Sequence, residues 1–457
     1  MAADTSRNTE RRPTFDPIRA LAIEAIEQIE EGQQTDDAIR TVTNGKQLRG
    51  LDHRFIQQLV NGTTKMRRRL DVEINAYLTK PASQLHPKVR QILRLGFYQL
   101  AFTDRVPAAA AVSESVNLAR RFTDEKLARL VNAVMRARLR EPEKVRFANK
   151  DSDPVTYLAD YYSYPDYFAR YCHKEFGLEN AERLLAAYNQ PPHITYRVNF
   201  IKAKPDEVTH VLQESEVEFS FGRYLPEFIH IHQGGLPLED QLLSSGKVFI
   251  QDESSGMPVR LLNPKPGGNV VDLTAAPGGK ATYAAIRMRN KGRVTAIDKS
   301  PDRLKLVVEN AERLGIKIIA PVVCDMNEFK AGQFDRVLLD PPCSGWGTAG
   351  KNADLRWTKT EDDILNLSRI QTKMIDRAAK LVKPGGVLVY STCTIIRDEN
   401  DQIVEEFLLR NTDFEIDPAD QFFDKSVVNE RGFVKTYPVV EGLDGSFCAR
   451  LKRKLNP

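Results

Sequence analysis

Three patterns of hydrophobic and polar positions follow one another along the chain. From residue 13 to about residue 147, apolar residues recur at spacings of three and four, as in segments 18–29, 88–102 and 124–140. This spacing places the apolar side chains on one face of an amphipathic helix. No stretch of this region alternates between apolar and polar residues as a strand does. The first third of the chain is therefore predicted to be an all-α domain.

Residues 148–245 change from one pattern to another. A tyrosine-rich stretch, YLADYYSYPDYFARY, is predicted to form a helical link, and HITYRVNF then alternates like a strand. Pro205 stands where a helix would begin, and two further short strands, EVEFS and FIHIH, follow it. A proline is favoured in the first turn of a helix. This order predicts a βαββ unit, a small α+β connector of the RRM-like type.

From residue 246 to residue 457 the pattern is an alternation of strands and helices. Short apolar runs end in acidic or small residues at 269–272, 294–298, 319–325, 335–340 and 386–393. Continuous apolar strands separated by helices predict a parallel sheet that is covered on both faces. We therefore expect a Rossmann-like α/β domain that binds its ligand at the carboxyl ends of the strands.

Composition limits the class of protein. The 457 residues suffice for about three domains, and 41% hydrophobic with 28% charged residues excludes a largely disordered chain. Residues 1–12 are polar and are predicted to form a disordered tail, without a secretory signal or a membrane span elsewhere. The five cysteines include no CxxC pair. We therefore expect a cytoplasmic chain with neither a disulfide framework nor a metal site.

The charge is distributed unevenly along the chain. Residues 1–150 contain 27 lysines and arginines against 18 acidic residues, whereas the net charge of the whole chain is only +4. A basic domain on an otherwise near-neutral chain suggests a polyanionic partner, most simply a nucleic acid. A solvated helical surface that happens to be basic is the alternative.

A glycine-containing loop follows the first strand of the third region. The segment from Asp272 to Lys280 reads DLTAAPGGK, which matches neither GxGxxG nor a Walker loop. Gly278 and Gly279 allow a tight turn and close approach of the backbone to a ligand. Asp298 and Asp325 end the next two strands, where a carboxylate suits a ribose diol. Together these features favour a nucleotide-like ligand.

Two cysteines stand directly after the last two predicted strands. Cys343 lies in the proline-stiffened segment DPPCSG, next to Asp340, and Cys393 lies in STCT. Because both strands belong to one parallel sheet, the two thiols are expected to face one crevice. This placement favours thiol chemistry, with a disulfide as the competing interpretation. Cys172, Cys324 and Cys448 are interpreted as small buried hydrophobic residues.

The motifs DLTAAPGGK, DPPCSG and STCT closely resemble those of the RNA cytosine-5 methyltransferases that use S-adenosylmethionine. The first domain resembles the NusB-type RNA-binding fold in RGLDHRFIQQLVNGTTKMRRRLD, in HPKVRQILRLGFYQLAFTDRVPAAAAVSESVNLAR and in LVNAVMRARL. Both modules on one chain, from about residue 15 to residue 453, are similar to the RsmB (Sun/Fmu) family of bacterial 16S ribosomal RNA cytosine-5 methyltransferases.

The resemblance implies a role for each residue of the motifs. Cys393 would attack carbon-6 of cytosine, Cys343 would assist release of the product, and Asp340 would bind the cytosine ring. Lys280 would position the base or tune the thiolate. The cofactor would lie beside Asp340, with Asp298 on its ribose and Asp325 on its adenine amine. Its methionine part would be held by the backbone of Thr274, Ala275, Ala276, Pro277, Gly278, Gly279 and Lys280.

The resemblance also implies an RNA partner, 16S rRNA in its free or partly assembled form, for a monomeric protein. Basic residues of the first domain are expected to contact phosphates, since such contacts give affinity without sequence information. These residues are Arg67, Arg68, Arg69, Arg120, Arg121, Arg136, Arg138 and Arg140. An unpaired cytosine entering the pocket would supply the sequence choice.

The chain departs from the family pattern in three places. Thr274 replaces a frequent cysteine, GTAGKNADLRW lacks an arginine pair and a proline but keeps Asp354, Arg356 and Trp357, and Asp444–Phe447 reads DGSF. The last two changes are expected where RNA approaches, so they leave the target nucleotide open. A tRNA or another rRNA site is one alternative. A non-enzymatic NusB-like antitermination protein is another, against which the two cysteines argue.

Overall fold

The computed structural model describes residues 15–233, 239–330, 332–439 and 442–455, so the predicted tail at residues 1–12 lies outside the described residues. The chain forms two compact units. The first unit runs to Asn189 and includes the separate segment Asn352–Thr358. The second unit consists of Gln190–Lys351 and the chain from Lys359 onward.

The first unit is helical, as predicted. Its helices are α1 (Pro17–Glu30), α2 (Thr35–Thr43), α3 (Gly50–Lys65), α4 (Arg67–Asn75), α5 (Pro87–Phe102), α6 (Ala108–Phe122), α7 (Glu125–Arg140), α8 (Pro154–Tyr162) and α9 (Asp166–Asn189). The carboxylate of Asp16 accepts a hydrogen bond from the Ile18 amide and caps α1, and Asp124 caps α7 in the same way. The apolar faces of α1 to α7 bury one continuous core.

The first unit extends beyond the predicted boundary at residue 147. Helices α8 and α9, which the sequence assigned to the connector, belong to it. The Arg68 guanidinium of α4 lies 2.7 Å from the Asp160 carboxylate of α8, and the Arg68 amide donates to the Ser163 hydroxyl. These polar contacts join α8 to the helical unit, and an apolar periodicity alone does not reveal them.

The second unit begins with a four-stranded antiparallel sheet. It consists of β1 (Ile194–Val198), α10 (Pro205–Glu214), β2 (Glu218–Phe221), β3 (Phe228–Gln233) and β4 (Val248–Ile250), with the strand order β2-β3-β1-β4. The predicted βαββ unit is confirmed. The added strand β4 was not predicted, since three residues are too short for a period of two to stand out.

A larger mixed sheet follows, with helices on both faces. Its elements are α11 (Glu253–Leu262), β5 (Asn269–Asp272), α12 (Gly279–Arg287), β6 (Arg293–Asp298), α13 (Pro301–Leu314), β7 (Ile319–Val323), β8 (Phe334–Leu339), α14 (Leu355–Thr358, in the first unit), α15 (Glu361–Ala379), β9 (Val382–Thr392), α16 (Asp401–Arg410), β10 (Phe414–Ile416), β11 (Val434–Thr436) and β12 (Ser446–Arg453). The strand order is β10-β12-β9-β8-β5-β6-β7, with β11 paired to β12.

The five predicted strands form the parallel part of this sheet, β7-β6-β5-β8-β9. Strands β12 and β10 add an antiparallel edge that the sequence did not predict. Alternate residues of β5 serve opposite faces: Val270 packs in one buried cluster and Val271 in the other. Both faces of the sheet are therefore covered, and the carboxyl ends of the strands remain as the place for a site.

Neither a membrane-spanning helix nor a metal-binding cluster occurs in the described ranges. No helix there is long and apolar enough to cross a membrane. In the same part of the chain, no group of three or more histidine, cysteine, aspartate or glutamate side chains is placed to hold a metal ion.

Candidate active site

The loop between β5 and α12 forms one wall of the candidate site. The Ala275 amide donates to the Ile297 carbonyl at 2.7 Å, and the Arg303 guanidinium donates to the Ala276 carbonyl at 3.1 Å. Gly278 has a φ of +107°, and a Cβ on it would lie 3.2 Å from the Val307 backbone. The backbone amides of the first turn of a helix lack partners within the helix and attract anionic groups. The predicted cofactor loop is thus a rigid turn that ends at such a helix start.

A buried arginine of the small sheet supports this loop. The Arg197 guanidinium of β1 donates to the Gly279 carbonyl at 2.6 Å and to the Thr282 hydroxyl at 3.0 Å. It also lies over the rings of Phe249 and Tyr283. The connector therefore contributes directly to the position of the cofactor loop.

Asp298 and Asp325 lie at the carboxyl ends of two neighbouring parallel strands, β6 and β7. Asp298 is the last residue of β6, is buried, and accepts from the Ser300 amide at 3.0 Å. Asp325 follows β7, is exposed, and accepts from the Asn327 amide at 2.8 Å. Neither residue lines the pocket that contains Cys393. From the loop after β5, the strand order leads to β6 and then to β7, so the two carboxylates lie where an extended ligand held by that loop would place its nucleoside part.

One pocket brings together the predicted catalytic groups and the loop. It encloses about 380 Å³, and its lining includes Cys393, Asp340, Lys280 and residues 274–277. The Lys280 ammonium lies 2.6 Å from one Asp340 oxygen, and the Ser391 hydroxyl donates to the other at 3.1 Å. Burial lowers the pKa of Lys280, but the attraction of Asp340 outweighs it and the pKa ends above its ordinary value. Lys280 is therefore a fixed positive charge beside Asp340.

The two cysteines meet at the carboxyl ends of β8 and β9. The parallel register pairs Leu339 with Tyr390, so the segments that follow the two strands run side by side. The sulfur atoms of Cys343 and Cys393 are 3.1 Å apart. The hydrogen bond to Cys393, together with burial, raises the pKa of Cys343 well above its ordinary value. Cys343 therefore holds its proton, and Cys393 is the more exposed of the two thiols.

A second carboxyl group in the pocket has no role in the sequence-based assignment. Asp272 ends β5 and lines the pocket together with Lys280 and Asp340. Burial raises the pKa of Asp272 to about 7, although the positive charge of Lys280 opposes the shift. Its signal in the sequence is its place directly before the glycine-containing loop, at the end of an apolar run.

The opposite wall contains an ion cluster that sequence reasoning missed. The Lys351 ammonium lies 2.7 Å from an oxygen of Asp252 and 2.7 Å from an oxygen of Asp444. Burial and the nearby Asp252 carboxylate raise the pKa of Asp444 to about 7. Lys351 and Asp444 come from the two segments that depart from the family pattern. The two segments are therefore in contact through the Lys351–Asp444 ion pair.

Two side chains that the altered loop retains, Arg356 and Trp357, are held inside the first unit. Arg356 is completely buried in the first unit, where it donates to the Tyr188 carbonyl and stacks on Tyr164 at 4.0 Å. The Trp357 indole donates to the Thr64 carbonyl at 2.6 Å. These side chains anchor the segment in the helical unit, which is a structural role.

Three of the arginines assigned to RNA have partners within the first unit. The Arg67 guanidinium stacks on Trp357 at 4.4 Å. Arg68 lies 2.8 Å from the Asp166 carboxylate, and Arg69 pairs with Glu73 at 3.2 Å. Side chains held in this way are poor phosphate contacts. We therefore remove Arg67, Arg68 and Arg69 from the set proposed to bind RNA.

Two of the remaining arginines line a groove between α6 and α7. The groove encloses about 540 Å³, and Arg120 and Arg136 share it with Arg129, Asn117 and Asn132. Arg120 pairs with an exposed glutamate, Glu125, at 3.0 Å. The other three assigned arginines lie outside the lining of this groove: Arg121 over Phe15, Arg138 beside Glu73, and Arg140 exposed at the end of α7. Arg129, which the sequence-based assignment omitted, completes a basic surface.

Models of three protein families match consecutive parts of the chain. The NusB family matches residues 16–140, the ferredoxin-like domain of RsmF/B-like methyltransferases matches residues 164–237, and the 16S rRNA methyltransferase RsmB/F family matches residues 259–452. These matches confirm the predicted order of a NusB-like domain, a small α+β domain and a methyltransferase domain.

Individual proteins match over nearly the full length. A probable ribosomal RNA small subunit methyltransferase B of Bacillus subtilis is 34% identical, with 96% of this chain and 99% of that protein covered. A protein of the same description from Synechocystis is 33% identical, with 92% and 95% covered. The crystal structure of a protein called PH0851 has a TM-score of 0.78 and 28% identity, covering 97% of this chain and 100% of the other. A methyltransferase homolog from Pyrococcus horikoshii, 28% identical, has a TM-score of 0.57 and covers 65% of this chain and 97% of its own.

Proposed function

The chain belongs to the 16S rRNA methyltransferase RsmB/F family, and we propose that it methylates carbon-5 of a cytosine in 16S rRNA through a covalent bond between Cys393 and carbon-6 of the ring. The observation that carries this proposal is the pair of thiols 3.1 Å apart beside a pocket that also contains Asp340 and Lys280. An RNA-binding protein without catalytic activity needs neither thiol.

The first chemical requirement is a nucleophile for carbon-6. Carbon-5 of cytosine is a poor nucleophile, and addition of the Cys393 thiolate to carbon-6 makes the ring enamine-like, which activates carbon-5. The exposed Cys393 reaches into the pocket, whereas Cys343 keeps its proton. When bound, S-adenosylmethionine supplies the methyl group.

The second requirement is stabilisation of the ring while it carries extra electron density. Asp340 would hydrogen-bond the ring and favour its protonated form. Lys280 holds one Asp340 oxygen at 2.6 Å and Ser391 holds the other at 3.1 Å, so the carboxylate has one orientation. A preorganised charge in a water-poor pocket acts without reorganisation when the reaction occurs. Lys280 and Ser391 would therefore position Asp340 and polarise the site around Cys393.

The third requirement is release of the product. Removal of the carbon-5 proton re-forms the double bond between carbon-5 and carbon-6 and expels the Cys393 thiolate. Cys343 would assist this elimination from its place beside Cys393. The Cys343 thiol would give its own proton to the departing Cys393 sulfur across the 3.1 Å contact, and the resulting Cys343 thiolate would accept the carbon-5 proton.

The residues at the loop and at the strand ends fit the cofactor. The first turn of α12 offers backbone amides to its carboxylate, and the backbone of residues 274–280 would hold the methionine part. The buried Asp298 carboxylate would accept from the ribose hydroxyls, and Asp325 would bind the adenine amine. The donors and acceptors thus follow the sheet from β5 to β7.

The helical unit would supply affinity for RNA. Arg120, Arg129 and Arg136 line one groove with two asparagines, a set that contacts phosphates without reading sequence. The target cytosine would be unpaired or splayed out of the RNA, because its carbon-6 must reach Cys393.

The test of the proposed function is the identity of the methylated nucleoside. The full-length protein is incubated with 16S rRNA and methyl-labelled S-adenosylmethionine, and the RNA is digested to nucleosides. The proposal predicts labelled 5-methylcytidine. Labelled 5-methylcytidine only with tRNA or 23S rRNA would keep the chemistry and reject the substrate. No labelled nucleoside with any RNA, together with RNA binding, would favour the antitermination-type protein.

A further inference from the structure

Two buried side chains hold the backbone on both sides of Cys343. The Gln371 amide of α15 donates to the Pro342 carbonyl at 2.9 Å. The Ser344 amide donates to a Glu399 carboxylate oxygen at 2.8 Å. Pro342 and Ser344 are the residues directly before and after Cys343. The position of Cys343 is therefore fixed by contacts to its two chain neighbours.

The two side chains also bind each other. The Gln371 amide donates to the same Glu399 oxygen at 3.0 Å, and both residues have an exposed fraction of 0%. Burial raises the pKa of Glu399, and its hydrogen bonds oppose that shift. In a buried hydrogen-bonded network, each partner that is removed leaves another polar group unpaired. Gln371 and Glu399 are called the Gln371–Glu399 clamp below.

The clamp reaches the segment of the other cysteine. The Ser344 hydroxyl donates to Glu399 and lies 2.9 Å from the hydroxyl of Thr394, the residue that follows Cys393. The hydroxyl of Tyr390, near the end of β9, donates to the Glu399 carbonyl at 2.7 Å. Glu399 thus joins the Cys343 loop to the end of the strand that carries Cys393.

We propose that Gln371 and Glu399 are positioning residues for Cys343, which hold its thiol beside Cys393 during product release. Strand β9 ends directly before Cys393 and is bonded to β8 on one side and to β12 on the other, so the sheet also holds the backbone next to Cys393. Cys343 lies in a loop beyond the end of β8, where the clamp supplies the contacts to its neighbours. Loss of the clamp is therefore expected to displace Cys343 more than Cys393. This inference rests on the proposed function, because it assigns release to Cys343.

The test compares the first turnover with later ones. Gln371→Leu keeps the size of the side chain and removes its donor. Ser344→Ala removes one hydroxyl from the same network and is the milder variant. Each full-length variant is mixed with 16S rRNA and S-adenosylmethionine. We measure methyl transfer in the first turnover, the rate over multiple turnovers, and the amount of covalent protein–RNA adduct on a denaturing gel.

We expect Gln371→Leu to keep the rate of methyl transfer in the first turnover within about threefold of that of the unaltered protein. Later turnovers are expected to slow by about tenfold or more, and adduct is expected to accumulate, because a small misplacement of a catalytic group lowers a rate by this much. Ser344→Ala is expected to change the same ratio in the same direction, by less. The matched control is Gln99→Leu, which alters an equally buried glutamine of α5 that bonds Leu95 and Arg19. It is expected to leave the adduct level unchanged.

Three outcomes separate this inference from the proposed function. If Cys343→Ser accumulates adduct and neither clamp variant does, the clamp has no positioning role and the inference is wrong. If first and later turnovers fall in the same proportion, the clamp supports the whole fold rather than Cys343. If Cys343→Ser itself accumulates no adduct, the role proposed for Cys343 is wrong, whatever the clamp variants show. A Gln371→Leu protein that does not fold leaves the decision to Ser344→Ala.

Discussion

The sulfur atoms of Cys343 and Cys393 lie 3.1 Å apart, although the two residues are fifty positions apart in the chain. The parallel pairing of β8 with β9 produces this contact, because it starts the two following loops from one edge of the sheet. Under the proposed function, two thiols at this separation would reach the same ring, one at carbon-6 and the other at the neighbouring carbon-5. The geometry thus fits a reaction in which one bond to the protein forms and later breaks.

Substitution of each cysteine is expected to stop the reaction at a different stage. Cys393→Ser removes the thiolate, so neither methyl transfer nor a covalent adduct is expected. Cys343→Ser leaves the nucleophile in place and removes the group that assists elimination, so a protein–RNA adduct is expected to accumulate. Denaturing gels of protein incubated with 16S rRNA and S-adenosylmethionine measure both results.

The opposite pattern would reverse the two roles. If Cys393→Ser accumulated the adduct and Cys343→Ser formed none, Cys343 would be the nucleophile. Cys172→Ser is the matched control, because it removes a buried thiol of the first unit, whereas Cys343 and Cys393 both belong to the second unit. It is expected to keep full activity.

Removal of the charge beside Asp340 is expected to slow methyl transfer. Lys280→Met leaves the Asp340 carboxylate without the ammonium at 2.6 Å, and we expect kcat to fall by about 100-fold. Lys383→Met is the matched control. Lys383 also forms an ion pair at 2.7 Å, but its partner Asp335 lies near the amino-terminal end of β8, whereas Asp340 follows the carboxyl end. Equal losses in the two variants, measured by initial rates, would show a general effect on stability and contradict the role of Lys280.

The raised pKa of Asp272 predicts a pH dependence of stability. The folded carboxyl holds its proton up to about pH 7, whereas the unfolded one releases it near pH ~4. The stabilising contribution is therefore complete below about pH 4 and is lost as the pH rises to about 7. Asp272→Asn is expected to flatten the fall in Tm between about pH 5 and about pH 7.

The control for this prediction is Asp335→Asn. The hydrogen bond from Lys383 lowers the pKa of Asp335, so that contribution is lost only at acid pH, below the chosen window. The variant is expected to follow the slope of the unaltered protein between about pH 5 and about pH 7. Parallel Tm profiles for all three proteins would show that Asp272 is not the group that titrates.

The groove between α6 and α7 predicts a salt-dependent affinity for RNA. Each phosphate contact that is lost lowers the slope of log K against log salt by about 1. Arg129→Ala and Arg136→Ala are each expected to weaken binding of 16S rRNA in this way. Arg410→Ala is the control, because Arg410 lies in the second unit and pairs with Asp376. Unchanged slopes in both groove variants would place the RNA elsewhere.

Local sequence patterns predict much of the parallel sheet and many of the residues of the candidate site. The apolar runs that end at Asp272, Asp298 and Asp340 mark three parallel strands, and the motifs after them mark the loop and the first thiol. The antiparallel edge was not predictable in this way, because β12 alternates weakly and its place beside β9 depends on contacts far apart in the chain. Gln371 and Glu399 give no local signal either, since a polar side chain in a helix or turn is usually exposed.

The altered loop shows why a motif alone does not locate a side chain. Arg356 stands thirteen positions after Cys343, in the loop whose changes are expected near RNA, yet it is buried in the first unit. Its guanidinium donates hydrogen bonds to the Tyr188 carbonyl and, at 2.7 Å, to the side-chain oxygen of Asn189. Such a site is formed only when α9 and this segment fold together, so no pattern within the loop predicts it.

This structural role of Arg356 is itself testable. Arg356→Met keeps a long side chain and leaves buried acceptors unpaired, which is expected to destabilise the first unit by about 2 kcal/mol. Thermal unfolding measures this loss, while the affinity for 16S rRNA of the folded protein is expected to stay unchanged. A stable variant with weakened RNA binding would return Arg356 to the RNA-contacting surface.

The central claim is tested most directly by bisulfite sequencing of total rRNA and tRNA from three strains: cells with this gene, cells without it, and cells that carry Cys393→Ser in its place. The account predicts that one 16S cytosine is protected with the intact gene and unprotected in the other two strains. Protection that is lost at a tRNA or 23S site would contradict the substrate. Protection that persists with Cys393→Ser would contradict the covalent mechanism.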